Sequence, residues 1–311
     1  MPDFPLITIV TPSFNQGRFL EATIQSVLAQ DYPNLEYLIV DGASTDNSLE
    51  IIRKYADRIS WWVSEKDKGQ SDAINKGLRR ARGEIVGWLN SDDVYEPEAV
   101  SNAVAAFRSA PEAGLVYADA RSIDAQGRPF NLMRARQYNL VELLAYNIIC
   151  QPASFMRRSV LAQVNYLNPE YHLLMDHLLW IEMARKAPIL YVPQVWASAR
   201  YHEQAKNRTR GAAYGREARV LIEDLQTRPE FAEIIAANSK RIWAGVNRFD
   251  AFYLTEAGEH AAALRAYGRA FHLHPAAALP DWKHILLATL SVMGLGRIRA
   301  WYDCLRSRTM K

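Results

Sequence analysis

Short apolar runs alternate with longer amphipathic segments through the first 120 residues, and this alternation limits the possible folds more than any other feature of the chain. The short runs are rich in β-branched and aromatic residues, which favours strands, whereas the longer segments repeat their apolar residues at helical spacing. The predicted strands are residues 6–11, 35–40, 59–63, 84–89 and 115–118. The predicted helices are residues 19–30, 47–55, 71–81 and 97–109. This rhythm predicts an α/β fold, with a Rossmann-like, mostly parallel sheet flanked by helices.

Polar clusters follow three of the predicted strands, at residues 12–15, 41–46 and 90–93. Ligands of parallel sheets bind at the carboxyl ends of the strands, so we expect the three clusters to meet at one edge. The turn after the first strand reads "TPSFNQG" and lacks the glycine pattern of a dinucleotide-binding domain. The edge therefore predicts a ligand other than a dinucleotide.

Two adjacent aspartates, Asp92 and Asp93, stand at the end of the fourth predicted strand. Carboxylates at such a position suit Mg²⁺ or Mn²⁺, because a hard cation is held by one or two carboxylates together with phosphate oxygens of a substrate. The alternative is that Asp93 only opens the next helix, in which Pro97 would occupy the first turn.

Composition and charge exclude several classes of protein. The chain has 311 residues and a net charge of +3, which does not indicate a nucleic-acid-binding surface. No apolar run reaches the roughly 18 residues of a membrane-spanning helix. The two cysteines, Cys150 and Cys304, match no metal or redox spacing, and the start "MPDFPLITIV" lacks the features of a signal peptide. We therefore expect a cytoplasmic protein that does not bind nucleic acid.

The ordered stretches "ITIVTPSFNQGRFLEATIQSVLAQDYPNLEYLIVDGASTDNSLEII" and "DKGQSDAINKGLRRARGEIVGWLNSDDVY" resemble the family 2 nucleotide-sugar glycosyltransferases, which have a GT-A fold. The resemblance covers about residues 5–205. It implies an inverting enzyme that moves a sugar from a nucleoside diphosphate (UDP, GDP or dTDP) to a hydroxyl group of a glycan or lipid-linked acceptor. The pathway it implies is bacterial cell-surface polysaccharide biosynthesis.

The resemblance also implies roles for residues of the first half. Pro12 and Phe14 would border the nucleobase, and Asp41 would lie by the base or the ribose. Asp93 would bind the metal directly, and Asp92 would lie nearer the ribose or the sugar. The chain departs from the family pattern at Gly42, where many relatives have a second acidic residue.

A second departure is Ile74, which stands where many relatives have an arginine before Asn75. The charge partner of the diphosphate would then be Lys76 or Lys68, which can bind phosphate as a point charge. Asp72 and Asn75 are three residues apart on one helical face and would contact sugar or ribose hydroxyls. The alternative for Asp72 is that it only stabilises the start of the helix.

Two candidates follow in the second half of the predicted catalytic domain. Inverting relatives place one acidic residue at the position of Asp176, which implies a general base for the acceptor hydroxyl; the alternative is a helix cap. His202 is expected to approach the metal or the diphosphate, or else to be a hydrogen-bonded surface histidine. Arg200, Lys206 and Arg208 would make a mobile basic lid.

Beyond about residue 210 the sequence shows the pattern of consecutive helices. This change predicts a catalytic domain of residues 1–209 and a helical extension of residues 210–311. Residues 251–279 resemble one tetratricopeptide-type hairpin. An apolar helix with a basic end follows, which could lie on the inner face of a membrane as a peripheral contact. The alternative is a buried terminal helix with solvated arginines.

Two other functions compete with the transferase. A sugar-phosphate nucleotidyltransferase also uses an α/β sheet and a metal, but its Gly-rich basic loop after the first strand is missing here. A catalytically silent scaffold that binds a partner through the helical tail is disfavoured by Asp41, Asp92, Asp93 and Asp176.

Overall fold

A computed structural model describes residues 4–203, 205–206 and 210–295. By contacts the chain divides into two units, the first made of the residues up to Tyr138 and of Ile148–Tyr201. Its strands are β1 (Ile7–Ser13), β2 (Leu35–Asp41), β3 (Trp61–Ser64), β4 (Ile85–Trp88), β5 (Val94–Tyr95), β6 (Leu115–Ile123), β7 (Pro129–Met133), β8 (Ser154–Arg157) and β9 (Ile189–Arg200). Its helices are α1 (Gly17–Leu28), α2 (Ser48–Lys54), α3 (Gln70–Arg80), α4 (Ala99–Ser109), α6 (Arg158–Gln163) and α7 (Met175–Lys186).

All nine predicted elements are present, and the largest difference is at β6, which runs five residues beyond the predicted end at Ala118. The predicted end of the first strand is also early, because Pro12 and Ser13 pair with Val40 and Asp41 inside the sheet. Asp93 does not open a helix, since β5 follows it and α4 begins only at Ala99. The capping alternative for Asp93 is therefore wrong.

The strands form one sheet in the order β3-β2-β1-β4-β8-β6-β9-β5, with β7 paired to β6. The pairs among β3, β2, β1 and β4 are parallel, as the strand–helix rhythm predicts. β8 is antiparallel to both of its neighbours, whereas β9 is parallel to β6 and antiparallel to β5. The parallel half carries the strand ends at which the polar clusters stand.

Helices cover both faces of the parallel half, because successive side chains of a strand point to opposite sides. Ile9 of β1 belongs to an apolar core with Leu20 and Ile24 of α1. The next residue, Val10, faces α3, where a Cβ atom at Gly77 would lie 2.3 Å from Cγ1 of Val10. The glycine lets α3 approach the strand closely.

The second unit is made of Asn139–Asn147 and the residues from His202 onward. Its helices are α5 (Leu140–Leu144), α8 (Gly211–Thr227), α9 (Pro229–Ala237), α10 (Ser239–Glu256), α11 (His260–Leu273), α12 (Pro275–Ala278) and α13 (Trp282–Val292). The segment 139–147 is held there by a hydrogen bond from the Tyr146 hydroxyl to the carbonyl oxygen of Ala218, 2.8 Å. The domain boundary predicted at residue 209 stays a prediction. Across the described part of the chain, every helix falls short of the length and apolarity needed to cross a bilayer.

Candidate functional site

The loops after β1 and β2 are joined into one rim by hydrogen bonds. The backbone N–H of Gly42 donates to the carbonyl oxygen of Ser13, and that of Asn15 donates to Oγ of Ser44, each at 2.8 Å. Oδ1 of Asn15 in turn accepts from the backbone of Thr45 at 2.8 Å. Asn15 has a φ of 52°, a left-handed conformation that asparagine tolerates better than most residues. Two of the three predicted clusters therefore meet.

Asp41, at the end of β2, is fully buried and accepts hydrogen bonds from this rim. Its Oδ2 accepts from the backbone of Ser44 at 2.9 Å and from Oγ of Ser64 at 2.6 Å. Its Oδ1 accepts from Oγ of Ser44 at 2.5 Å. Both oxygens are therefore engaged with donors of the protein. The contact of Asp41 with a base or ribose stays a prediction.

A carboxylate that sequence analysis missed occupies the space above Gly42. A Cβ atom at Gly42 would lie 2.4 Å from Oδ2 of Asp67 and 3.3 Å from the ring of Phe14. Oδ1 of Asp67 accepts from the backbone of Gly69 at 2.8 Å, which fixes the side chain. Asp67 thus stands where a second acidic residue after Asp41 would project its side chain. The departure from the family pattern at Gly42 was visible in the sequence, but no local pattern identified Asp67, 25 residues later, as the residue that fills the space.

The two residues predicted to border the nucleobase differ in exposure. Pro12 is buried inside β1, so only its backbone neighbourhood reaches the rim. Phe14 lies just beyond the strand with 59% of its surface exposed. A large exposed aromatic ring beside the Asp67 carboxylate is suited to stacking on a flat ligand.

Asp93 is the buried acidic residue of the third cluster, with 6% of its surface exposed. Its Oδ1 accepts from the backbone of Arg200 at 2.9 Å, and its Oδ2 lies 3.4 Å from Nδ2 of Asn90. Burial, and next the negative charge of Asp92, raise the pKa of Asp93 well above its ordinary value. A cation placed there would relieve both effects.

Arg200 ends β9 and is bound to this cluster. Its Nε donates to the carbonyl oxygen of Asp92 at 2.8 Å, and its Nη1 donates to that of Asp124 at 3.1 Å. The side chain is mostly buried, and burial lowers the pKa of its guanidinium group. The prediction that Arg200 belongs to a mobile lid is wrong, because these contacts fix it in the sheet. Arg208 lies outside the described residues.

Asn90 connects the segments around the aspartates, and sequence analysis did not single it out. Its Oδ1 accepts from Nε1 of Trp88 and from Nε2 of Gln70, both at 3.0 Å. Its Nδ2 donates to Oε1 of Gln151 at 3.0 Å. The amide therefore ties β4 to the start of α3 and to the segment before β8.

Asp176 lies in the first turn of α7, and its Oδ1 accepts from the backbone of His177 at 2.7 Å. Burial and the charges of Asp93 and Asp176 together raise the pKa of the Cys150 thiol. α3 contacts both segments that carry these carboxylates: Oγ of Ser71 donates to Sδ of Met175 at 2.9 Å, and the adjacent Gln70 donates to Asn90. The helix start with the predicted base is thereby connected to the loop with the predicted metal ligand.

The three candidates on α3 are already engaged with other parts of the first unit. Oδ2 of Asp72 accepts from the backbone of Lys68 at 3.0 Å, which favours a role at the helix start. The amide of Asn75 makes two hydrogen bonds with the backbone of Leu167, at 2.8 and 3.0 Å. Nζ of Lys76 pairs with Glu65 at 2.5 Å. Their contacts with a sugar or diphosphate stay predictions.

Comparison with known proteins identifies the family. A family model described as Glycosyl transferase family 2 matches residues 8–164. The chain belongs to glycosyl transferase family 2. Among curated relatives, the O-antigen biosynthesis protein RfbC of Myxococcus xanthus is 30% identical over 250 residues, which are 74% of this chain and 19% of that protein. The chain spans 35% and 34% of the length of two uncharacterized glycosyltransferases, from Rickettsia felis and Rickettsia conorii.

Two solved structures show the same fold. S. aureus TarS 1-349 in complex with UDP has a TM-score of 0.62 and 20% identity, over 88% of this chain and 82% of that one. The mannosyltransferase PcManGT from Pyrobaculum calidifontis, in complex with GDP-Man and Mn²⁺, has a TM-score of 0.63 and 20% identity. That match covers 99% of this chain and 87% of PcManGT. The α/β fold of GT-A type predicted from the sequence is confirmed.

A divalent cation fits the donor set of this family 2 chain. Among the described residues no group of three or more His, Cys, Asp and Glu side chains could hold a metal. One or two carboxylates are nevertheless enough when substrate phosphates complete the shell, and Asp92 and Asp93 supply them. His202 belongs to the second unit, and its approach to a metal stays a prediction.

Proposed function

We propose that the protein is an inverting glycosyltransferase that moves a sugar from a nucleoside diphosphate to a hydroxyl group. The observation that carries the proposal is a pair of carboxylates, Asp93 and Asp176, on two segments that both contact α3. One of them is buried beside a second aspartate and suits a cation, and the other stands at a helix start. Glycosyl transfer from a nucleotide needs both: a centre for the leaving diphosphate and a base for the acceptor.

Asp93, with Asp92 beside it, would hold Mg²⁺ or Mn²⁺. Repulsion between the two carboxylates and the burial of Asp93 favour such an ion, and the Mn²⁺ bound to PcManGT supports the assignment. When bound, a divalent cation stabilises the negative charge of a leaving diphosphate as a Lewis acid. The backbone N–H of Arg200 donates to Oδ1 of Asp93 and thereby orients the carboxylate.

The nucleobase would lie on the ring of Phe14 and donate a hydrogen bond to Asp67. A carboxylate accepts but cannot donate, so at the ring nitrogen it pairs with an imino N–H and is repelled by the lone pair of an unprotonated nitrogen. Uracil, thymine and guanine have the imino N–H, whereas adenine and cytosine lack it. This agrees with a UDP, dTDP or GDP donor, and the nucleotides bound to TarS and PcManGT support the same range.

Asp176 would act as the general base. Its carboxylate accepts the proton of the acceptor hydroxyl as that oxygen forms a bond to the anomeric carbon. The bond between the anomeric carbon and the diphosphate oxygen breaks on the opposite face, and its electron pair leaves with the diphosphate. Attack opposite the leaving group inverts the anomeric configuration. The hydrogen bond from the His177 backbone holds Oδ1 of Asp176 in place during this step.

We also propose that the acceptor is a glycan or lipid-linked sugar, used in bacterial cell-surface polysaccharide biosynthesis at the inner face of the membrane. The likeness to RfbC, an O-antigen biosynthesis protein, supports this setting.

A panel of UDP-, GDP- and dTDP-sugars tests the activity. Release of nucleoside diphosphate with Mn²⁺, and its loss with a chelator, is the expected result for one of these donors. Formation of a nucleotide sugar from a nucleoside triphosphate and a sugar 1-phosphate would instead identify a nucleotidyltransferase. No reaction of either kind would leave the scaffold as the function.

The variant Asp176→Asn tests the general base directly, because it keeps the shape of the side chain and removes the proton acceptor. With the donor found in the panel, kcat should fall by about 10²–10⁴-fold, or roughly 3–5 kcal/mol of barrier, with unchanged donor affinity. Asp57→Asn is the matched control, since Asp57 is an exposed carboxylate outside the site. Normal turnover in Asp176→Asn would remove it from the mechanism.

A further inference from the structure

Exposed apolar side chains are concentrated at the end of the second unit. Of the eleven large apolar side chains exposed in the described residues, seven lie between positions 271 and 295. Scattered single residues of this kind are normal on a protein surface, but a cluster marks a contact site. The cluster includes Trp282 at 57%, Leu286 at 47% and Met293 at 67% exposure.

Trp282 and Leu286 of α13 and Met293, the residue directly after it, share one side of the helix. At about 100° per residue, Trp282, Leu286 and Met293 lie within roughly 40° of one another around the helix axis. The buried Leu287 and Ala288 point to the opposite side, into the helical unit. The helix is therefore apolar on two sides, and only one of them is covered by the described chain. We call Trp282, Leu286 and Met293 the outer face.

Positive charge is concentrated in the last thirty residues of the sequence, which begin with α13. Residues 282–311 contain six Lys and Arg residues and one acidic residue, a net charge of +5, whereas the whole chain carries +3. The preceding 281 residues therefore carry a net charge of −2. Nζ of Lys283 lies 5.7 Å from the centre of the Trp282 ring. The nearby acids are engaged, since Asp281 accepts from Tyr267 and Glu256 pairs with His284.

We propose that the outer face of α13 binds the surface of an anionic phospholipid bilayer, with Lys283 beside it contacting the headgroups. The helix has 11 residues and is about 16 Å long, too short for a hydrocarbon core of about 30 Å. It would lie in the plane of the interface, with its apolar side chains among the acyl chains. An exposed apolar helix side in a part of the sequence with a net charge of +5 matches that surface better than it matches a neutral partner.

The inference deepens the membrane setting of the proposed function, and its test needs neither donor sugar nor activity. The full chain is sedimented with vesicles of phosphatidylcholine alone, or of phosphatidylcholine with an equal part of phosphatidylglycerol. We expect binding to the mixed vesicles that weakens with salt, and little binding to phosphatidylcholine. Equal binding to both, or to neither, would overturn the proposal.

Two variants locate the contact. Trp282→Glu and Leu286→Glu should each lower partition into the mixed vesicles by roughly ten- to hundredfold, the effect of losing one large buried apolar side chain. Val220→Glu is the matched control, because Val220 is a 55% exposed apolar residue on α8 of the same unit. Unchanged binding of both outer-face variants would refute the assignment, whatever the transferase assay gives.

A fluorescence measurement on the wild type tests the same contact even if the glutamate variants fail to fold. Brominated acyl chains should quench part of the tryptophan fluorescence of the wild type and less of that of Trp282→Phe. Equal quenching of the two proteins would count against the outer face. So would a dimer in sedimentation velocity that Leu286→Glu dissociates, because a second copy would then cover these residues.

Discussion

Replacing the buried Asp93 by Asn should stabilise the metal-free protein while abolishing its response to metal. Asn keeps the Oδ1 acceptor that receives the Arg200 backbone N–H at 2.9 Å and removes the charge that burial and Asp92 disfavour. Each pKa unit by which the folded state exceeds the unfolded one costs about 1.36 kcal/mol once the group is ionised. The amide nitrogen of the substituted side chain would replace Oδ2 of Asp93, which lies 3.4 Å from Nδ2 of Asn90 in the wild type. Two donors would then face each other, and the loss of this hydrogen bond reduces the gain in stability by about 0.5–1.5 kcal/mol.

We expect a net gain of about 1–2 kcal/mol at neutral pH, within the range of roughly 0.5–2 kcal/mol that single stabilising substitutions commonly give. For a unit of this size that raises Tm by roughly 2–8 °C. Because the folded-state pKa is raised, the stability from protonated Asp93 is complete below its unfolded pKa of about 3.9 and is lost as pH rises through the folded pKa. The difference in Tm between Asp93→Asn and wild type should therefore be absent in acid and grow with pH.

Thermal melts with and without Mn²⁺, in the presence of the nucleoside diphosphate of the accepted donor, test both halves of this reasoning, because substrate phosphates complete the metal shell. At a metal concentration of about 100 Kd, binding should stabilise the wild type by about 2.7 kcal/mol and leave Asp93→Asn unchanged. Asp57→Asn, in an exposed turn, should follow the wild type throughout. A lower Tm for Asp93→Asn without metal at neutral pH, or an equal Mn²⁺ shift in both proteins, would refute the account of Asp93.

Four further results are expected. Asp67→Ala should weaken binding of the accepted uridine, thymidine or guanosine diphosphate by roughly 10–100-fold in calorimetry, and methylation of the base at its imino nitrogen should weaken only the wild type. Gly245→Ala should destabilise the protein by about 1–3 kcal/mol in denaturant melts, since its Cβ would lie 2.1 Å from the Ala145 carbonyl oxygen. Gly268→Ala in α11, which meets nothing within 4 Å, should instead stabilise by up to about 1 kcal/mol. NMR of the product should show an inverted anomeric centre, and a retained one would exclude direct displacement.

The parallel half of the sheet could be predicted because its signals are local. Each of β1, β2 and β4 is a buried apolar run followed by a polar cluster, and each helix between them repeats at 3.6 residues. The other half gave weaker signals. β5 has two residues, and the antiparallel position of β8 between β4 and β6 depends on contacts that no short stretch encodes.

Some residues of the candidate site could likewise be predicted from local sequence, whereas others depend on tertiary contacts. Asp92 and Asp93 could be found from their place after a strand, and Asp176 from a family resemblance. The space above Gly42 could not, because it is filled by Asp67, 25 residues later, through a loop whose path depends on β3. The engagement of Asp41 with Ser44 and Ser64 was hidden for the same reason. Sequence indicates which residues are reactive, whereas tertiary contacts decide which of them face a ligand.

The nine residues 139–147 have a consequence for how such a protein can be inherited. They leave the sheet unit between β7 and β8 and contribute to the helical unit, where Leu143, Leu144 and Tyr146 are buried. A single genetic crossover near residue 201 would separate the later helices from this segment. Three large apolar side chains of the segment would then be exposed to water. Recombination near residue 201 should therefore be selected against, and the two units should be inherited together.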